Sequence, residues 1–239
     1  MSRLAALALS TLLALPASAQ SFTEEEIKQL ALQAILENPE IVMEAVSILQ
    51  QREEEAAAAA ARTTLDAERD LLERDANAPV LGNPDGDVTV VEFFDYNCPY
   101  CRRAGEQVDA LLERDGGVRI VYREWPILGE GSDFAARAAL ASREQGRYGE
   151  FHKALMGAQG RIDERIVMQI AGDLGLDLDK LRADMQSPEV QAHIDTTFEL
   201  ARSLGFSGTP SFVIGEALAP GLIDADTLVE MVEAAREQE

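Results

Sequence analysis

Apolar positions recur at three- and four-residue intervals through Ile27, Leu30, Ala34 and Ile35, and again through Ile41, Val42, Ala45, Val46 and Leu49. That period predicts two amphipathic helices. Thr23 with Glu26 gives the capping-box pattern that opens the first, and its acidic first turn suits the helix dipole. Asn38-Pro39 separates the two, with Pro39 suited to the first turn of the second. The second helix carries on through the alanine run 56–61 and ends before Asn77-Ala78-Pro79. From residue 79 the pattern changes. VTVVEFF, starting at Val88, and VRIVYR, starting at Val118, read as β-branched strands, and residues 101–114 between them read as helix. Strand, helix, strand in that order implies parallel pairing. Residues 132–205 read as helical almost throughout, punctuated by Gly146, Gly160 and Ser187-Pro188. GTPSFVIG then returns to strand, a short run follows near residues 217–219, and Asp224 caps a last helix. The expected class is α/β, with a helical insertion at about 130–205 and an N-terminal helical extension.

An apolar helical stripe has to be covered. The stripe before residue 50 can pack on the chain's own main domain or on the same segment of another subunit. Self-association through residues 20–75 is the expectation, although regular heptads do not persist. The later Ala- and Glu-rich stretch reads as a solvated stalk. The predicted domains are therefore a helical oligomerisation or stalk segment at 20–78 and an α/β domain at 79–239.

The first twenty residues change the picture by setting a compartment. Arg3, an apolar run over residues 4–15, and Ala17-Ser18-Ala19 form the three parts of a secretory signal. The run is short for a membrane span. Cleavage is expected near Ala19/Gln20, giving residues 1–19 as signal peptide and a periplasmic destination. The charge adds an exclusion. With 43 acidic against 21 basic side chains and a formal charge of -22, the chain is a poor match for nucleic acid or an anionic membrane.

The only two cysteines, Cys98 and Cys101, stand together in DYNCPYC, where the first long strand gives way to helix. As a staple, so small a loop would restrict the unfolded chain little, and a domain of this size buries enough surface without one. Zinc would need two further ligands, and only His152 and His193 exist, both inside the helical block. Thiol chemistry fits better and needs neither metal nor cofactor. At a helix N-terminus the unpaired N–H groups and the dipole favour a thiolate, so the Cys98 pKa should fall below the free value of about 8.5. No histidine stands in the motif, so the expected fall is moderate. Pro99 suits the first helical turn, Tyr100 shields without adding charge, and Cys101 sits one turn deeper. Cys98 thus reads as the attacking sulfur and Cys101 as the resolving one.

EFFDYNCPYCRR, followed more than a hundred residues later by GTPSFVIG, resembles the DsbA-like branch of the thioredoxin fold. The resemblance covers residues 79–239, including the helical insertion. The preceding segment is similar to the N-terminal extension of oligomeric members of the suppressor-of-copper-sensitivity C type. The resemblance implies a redox pair at Cys98 and Cys101. It implies a cis-proline loop at Thr209-Pro210, lying against the sulfurs and available with Pro99 and Tyr100 for substrate binding. It also implies a buried acid at Glu92 that accepts a proton from Cys101; the alternative for Glu92 is a partly exposed strand residue. Phe94, Tyr96 and Trp125 either line the substrate face or belong to the core. Tyrosine inside the pair speaks against a strongly oxidising enzyme, and threonine before the proline is shared with family isomerases.

The expected function is exported thiol–disulfide exchange with cysteine-containing clients and a membrane redox partner, isomerisation being favoured over oxidation. The rival is a non-enzymatic holdase or metal-stress binding protein assembled through its N-terminal helices.

Overall fold

The computed structural model describes residues 22–237. The predicted signal peptide, residues 1–19, and its cleavage point near Ala19/Gln20 lie outside the described residues. Contacts divide the chain between Glu55 and Ala56.

In the first unit, helix α1 (Glu24–Glu37) opens on the capping box that the sequence predicts. The Glu26 carboxylate accepts the Thr23 N–H at 2.9 Å, and the Thr23 hydroxyl accepts the Glu26 N–H at 3.3 Å. Helix α2 (Glu40–Arg74) follows directly after Pro39. Ile27, Leu30, Ile41 and Leu49 of the stripe are 55, 52, 44 and 57% exposed, so the stripe is present and uncovered within its own unit.

The second unit is built on a five-stranded sheet. Its strands are β1 (Val80–Gly82), β2 (Val88–Phe94), β3 (Val118–Glu124), β4 (Ser211–Ile214) and β5 (Ala217–Pro220), in the order β1-β3-β2-β4-β5. β2 and β3 are parallel, as expected; the other pairs are antiparallel. The C-terminal ends of β2 and β3 and the N-terminal end of β4 therefore share one edge of the sheet. β1 is absent from the sequence reading, because three residues are too few for a two-residue period to show. It turns away at Gly82, where φ is +76° and a Cβ would lie only 2.7 Å from the Val118 carbonyl oxygen.

Helices α3 (Pro99–Arg114) and α9 (Ala225–Arg236) cover one face of the sheet, with Ala104, Val108 and Leu111 packed in the same core as Leu228 and Val232. The insertion comprises α4 (Glu130–Ala141), a 3-10 turn (Ser142–Gln145), α5 (Tyr148–Gly157), α6 (Glu164–Asp173), α7 (Leu178–Asp184) and α8 (Pro188–Ser203). The side chains of Asp163, Asp177, Ser187 and Asp224 each accept a first-turn N–H, which fixes where α6, α7, α8 and α9 begin. This is a thioredoxin-like α/β fold with a helical insertion.

The stalk expectation needs correction. Leu65 and Leu72, two turns apart on α2, are fully buried with Val91, Phe93, Val121 and Trp125 on the other face of the sheet. Packing thus divides the chain after Glu55, and residues 56–78 belong with the sheet rather than with the N-terminal segment. Charge seals the joint. The buried Arg123 of β3 lies 2.7 Å from Asp75 and donates to the carbonyls of Leu71 and Leu72 at the end of α2. The helix dipole places partial negative charge at that end.

Truncating Leu72 to alanine should therefore cost about 2–5 kcal/mol of unfolding free energy, read as a lowered urea midpoint at unchanged slope. A loss within ~0.5 kcal/mol, the range of surface changes, would restore the stalk.

Candidate active site

The backbone leaves β2 through Asp95, Tyr96 and Asn97 and enters α3 at Cys98, its N-cap residue, with Pro99 in the first turn. Polar side chains build this turn. Asp95, 2% exposed, accepts the Asn97 N–H at 2.7 Å with one carboxylate oxygen and the Leu128 N–H at 2.9 Å with the other. Its carbonyl accepts the Cys98 N–H at 3.0 Å. Asn97 accepts the Ile162 N–H at 2.7 Å and donates to the Ile162 carbonyl at 3.0 Å. Arg102 donates to the carbonyls of Tyr96 and Gly160 at 3.2 and 2.8 Å. The cysteine turn is thus tied to the β3–α4 loop and to the insertion.

Cys98 is 5% exposed, and its thiol donates to the Thr209 carbonyl at 3.3 Å. Thr209-Pro210 is a cis peptide, and Pro210 is buried just before β4. A hydrogen bond from the Cys101 thiol does most to pull the Cys98 pKa down, to about 5 from an ordinary 9.0. The Thr209 side chain and the backbone N–H groups of Cys101 and Tyr100 add to that pull against burial. The fall is larger than the moderate one expected, because helix amides are only one of three donor types. Cys101, fully buried, is driven far the other way, by burial first and by Cys98 second. At neutral pH the pair therefore holds one thiolate and one thiol.

Glu92 lies on β2 at 1% exposure, with neither carboxylate oxygen meeting a partner among the described residues. Burial raises its pKa to about 8, and its charge also raises that of Cys101. The partly exposed alternative for Glu92 is excluded. Pro99 and Tyr100 are exposed, Tyr100 at 56%. Phe94 and Tyr96, 1% exposed, are core residues rather than a substrate face, and Trp125 is 7% exposed. His152 is packed among Phe94, Tyr96, Tyr122 and Tyr148, with Nδ1 3.0 Å from the Tyr96 hydroxyl. Among the described residues no three His, Cys, Asp or Glu side chains gather as a metal site.

The profile of the DSBA-like thioredoxin domain matches residues 89–233. The chain belongs to that family. A thioredoxin-like oxidoreductase from Silicibacter pomeroyi is 61% identical, with a TM-score of 0.70 over 71% of this chain and 98% of that one. A linker-deletion mutant of ScsC from Proteus mirabilis is 26% identical, with a TM-score of 0.71 over 93% of this chain and all of the other. Among curated proteins, a sodium/proton antiporter, NhaA 3 of Salinispora tropica, is 32% identical over 158 residues, 65% of this chain and 24% of its own. The chain thus spans about a quarter of the length of that relative.

Sequence reasoning missed Asp95, Asn97 and Arg102, which shape the turn of this DsbA-like domain. Asp and Asn between a strand and a helix signal a side-chain-stabilised turn; nothing local signals that Asn97 reaches Ile162.

Absorbance of the reduced protein at 240 nm should report one thiolate titrating with a midpoint at about pH 5. Cys98→Ser should abolish this step, and Cys101→Ala should move it upward by removing the strongest donor. The folded pKa lies below the unfolded one. Stability from Cys98 is therefore fully present above pH 9 and is lost as pH falls through about 5. A midpoint near that of an ordinary thiol would refute the assignment.

Proposed function

We propose that the protein is an exported, periplasmic thiol–disulfide oxidoreductase acting on cysteine-containing clients. The observation that carries this reading is the divided pair: a Cys98 thiolate at the helix N-terminus against Thr209, over a protonated Cys101. The Cys98 thiolate attacks one sulfur of a client disulfide, forming a Cys98–client disulfide and releasing a client thiolate. That thiolate can attack another client disulfide; when the client then displaces Cys98, the bridges are reshuffled with no net electron change. Alternatively, in the minority of molecules whose Glu92 is ionised near neutrality, Cys101 gives its proton to that carboxylate and attacks Cys98. The client leaves as a dithiol, and two electrons have passed to it. A carboxyl with a pKa of about 8 can both take and return a proton near neutrality.

Isomerisation is the favoured direction. The apolar side chains of residues 22–49 are exposed, and a second copy of the same segment is the partner best suited to cover them. Self-association would turn several active sites toward one client. Oxidation is the second reading, favoured by the low Cys98 pKa, because a stabilised thiolate stabilises the reduced enzyme and so raises its oxidising power. It would require a membrane partner to restore the Cys98–Cys101 disulfide.

Because Leu65 and Leu72 belong to the core, the informative truncation removes residues 22–55 and not 20–75. Reduced full-length protein should reactivate a scrambled-disulfide client. The truncated form should do so roughly tenfold less well, through loss of multivalency, while reducing a small disulfide equally fast. Failure of the full-length form would end the isomerase reading. Unchanged client rescue by Cys98→Ser would favour the non-enzymatic holdase.

A further inference from the structure

The sheet edge that carries Cys98 also carries a second feature, on the opposite face from α3. Trp125 follows β3 immediately, and its N–H bonds the Phe94 carbonyl at the end of β2 at 2.8 Å. Phe206, fixed by its N–H to the Ala201 carbonyl at 2.8 Å beyond α8, stands three residues before Thr209. The rings of Trp125 and Phe206 both meet Phe93, at 6.3 and 5.3 Å, and Trp125 meets Phe198 of α8 at 6.4 Å. Between Trp125, Ile127, Phe198 and Phe206 lies an open cleft of about 560 Å³.

Three properties of this cleft stand out. Phe198 is 41% exposed, although most of the other large aromatic side chains in the domain are buried. The indole N–H of Trp125 is buried and has no acceptor among the described residues; an unmet donor of this kind is costly. The rim carries Asp195 and Glu199 against the single cation Arg202.

We propose that this cleft seats an aromatic side chain of the client segment held on Cys98, one flanked by Lys or Arg. This rests on the thiol-exchange reading and adds a specificity to it. Reach sets the spacing. Phe206 and Thr209 are at most about 10 Å apart along an extended chain, and Thr209 touches the Cys98 sulfur. A client residue two to four positions from the reacting cysteine therefore spans the same distance. Chemistry sets the side chain: aromatic walls favour an aromatic guest by edge-to-face packing. The acidic rim favours a basic neighbour.

Trp125 is the chain's only tryptophan, so its fluorescence reports occupancy of the cleft independently of catalysis. The probe is a pair of short peptides with Phe or Ser three residues from an alanine that replaces the cysteine, each flanked by Arg. With the full chain, the Phe peptide should give a saturable emission change and the Ser peptide none. In the matched disulfide-bearing peptides, Phe should raise kcat/KM about tenfold or more, mainly through KM. Phe198→Ser should remove that preference while leaving the 240 nm titration and the rate with oxidised glutathione unchanged. Asp195→Lys with Glu199→Lys should shift preference to acidic flanks. Equal kcat/KM for the two peptides, or a preference that survives Phe198→Ser, overturns the proposal. A saturable emission change without exchange on any disulfide would instead sink the oxidoreductase reading and leave the cleft as a binding site.

Discussion

A negative sulfur has to be held in a nearly closed place, and the rest of the structure is arranged around that constraint. Cys98 is almost fully buried, which by itself would keep its proton on. What reverses this is the convergence of donors: the Cys101 thiol, the Thr209 side chain, and the first-turn amides of α3. The Cys101 thiol and the amides come with the CPYC turn itself, whereas Thr209 lies 111 residues away, so the full set of donors forms only if the sheet brings that loop to the turn. Parallel β2 and β3 with antiparallel β4 do so, by placing the exit of β2 and the entry of β4 at one edge. The separation of the two thiols follows from the same geometry. Cys101 becomes the donor because one helical turn further in it is shut away from solvent, and burial outweighs the one backbone hydrogen bond it receives, from Asp95.

Glu92 shows the complementary cost. Its neighbours along β2 are apolar, and its register partners are Tyr122 and Phe212. A carboxylate there would face an apolar core with no hydrogen-bond partner among the described residues. The fold therefore keeps it protonated through most of the physiological range. Its raised pKa is a liability to stability above the ordinary carboxylate range: the contribution is full below pH 4.5 and lost as pH rises through about 8. A residue that is uncomfortable when charged is well suited to hold a proton for a thiol that is equally reluctant to lose one.

Much of this was legible in the chain because the chemistry is local. CPYC at a strand–helix junction states its own electrostatics, and the resemblance to DsbA-like proteins supplied Glu92 and Thr209-Pro210. What stayed hidden depends on distance. Asp95 and Asn97 act through backbone groups 33 and 65 residues away, which no local pattern announces. Leu65 and Leu72 are sparse apolar positions among Glu, Arg and Ala, so composition suggested a solvated stalk where the helix packs. Phe94 and Tyr96 looked like candidates for a surface because aromatic residues suit binding sites. Yet VTVVEFF is apolar on both alternating faces, the mark of a strand covered on both sides. That cue outweighs the aromatic one.

The end of β3 explains why a site assembled from so many pieces can be firm. Arg123 and Glu124 are consecutive and buried, and alternation along the strand sends them to opposite faces. Arg123 meets Asp75 and the last carbonyls of α2. Glu124 lies 2.8 Å from His193 of α8 and accepts from the Tyr148 hydroxyl of α5. Two helical layers are thus bound to one strand at adjacent residues, directly before Trp125. Removing Asp75 would leave the Arg123 charge unpaired in the core, which is far costlier than the pair is stabilising. The arrangement therefore tells more about uniqueness than about stability. It allows one relative placement of strand end and helices, and with it one placement of the loop whose backbone Asp95 grips beside the reactive sulfur.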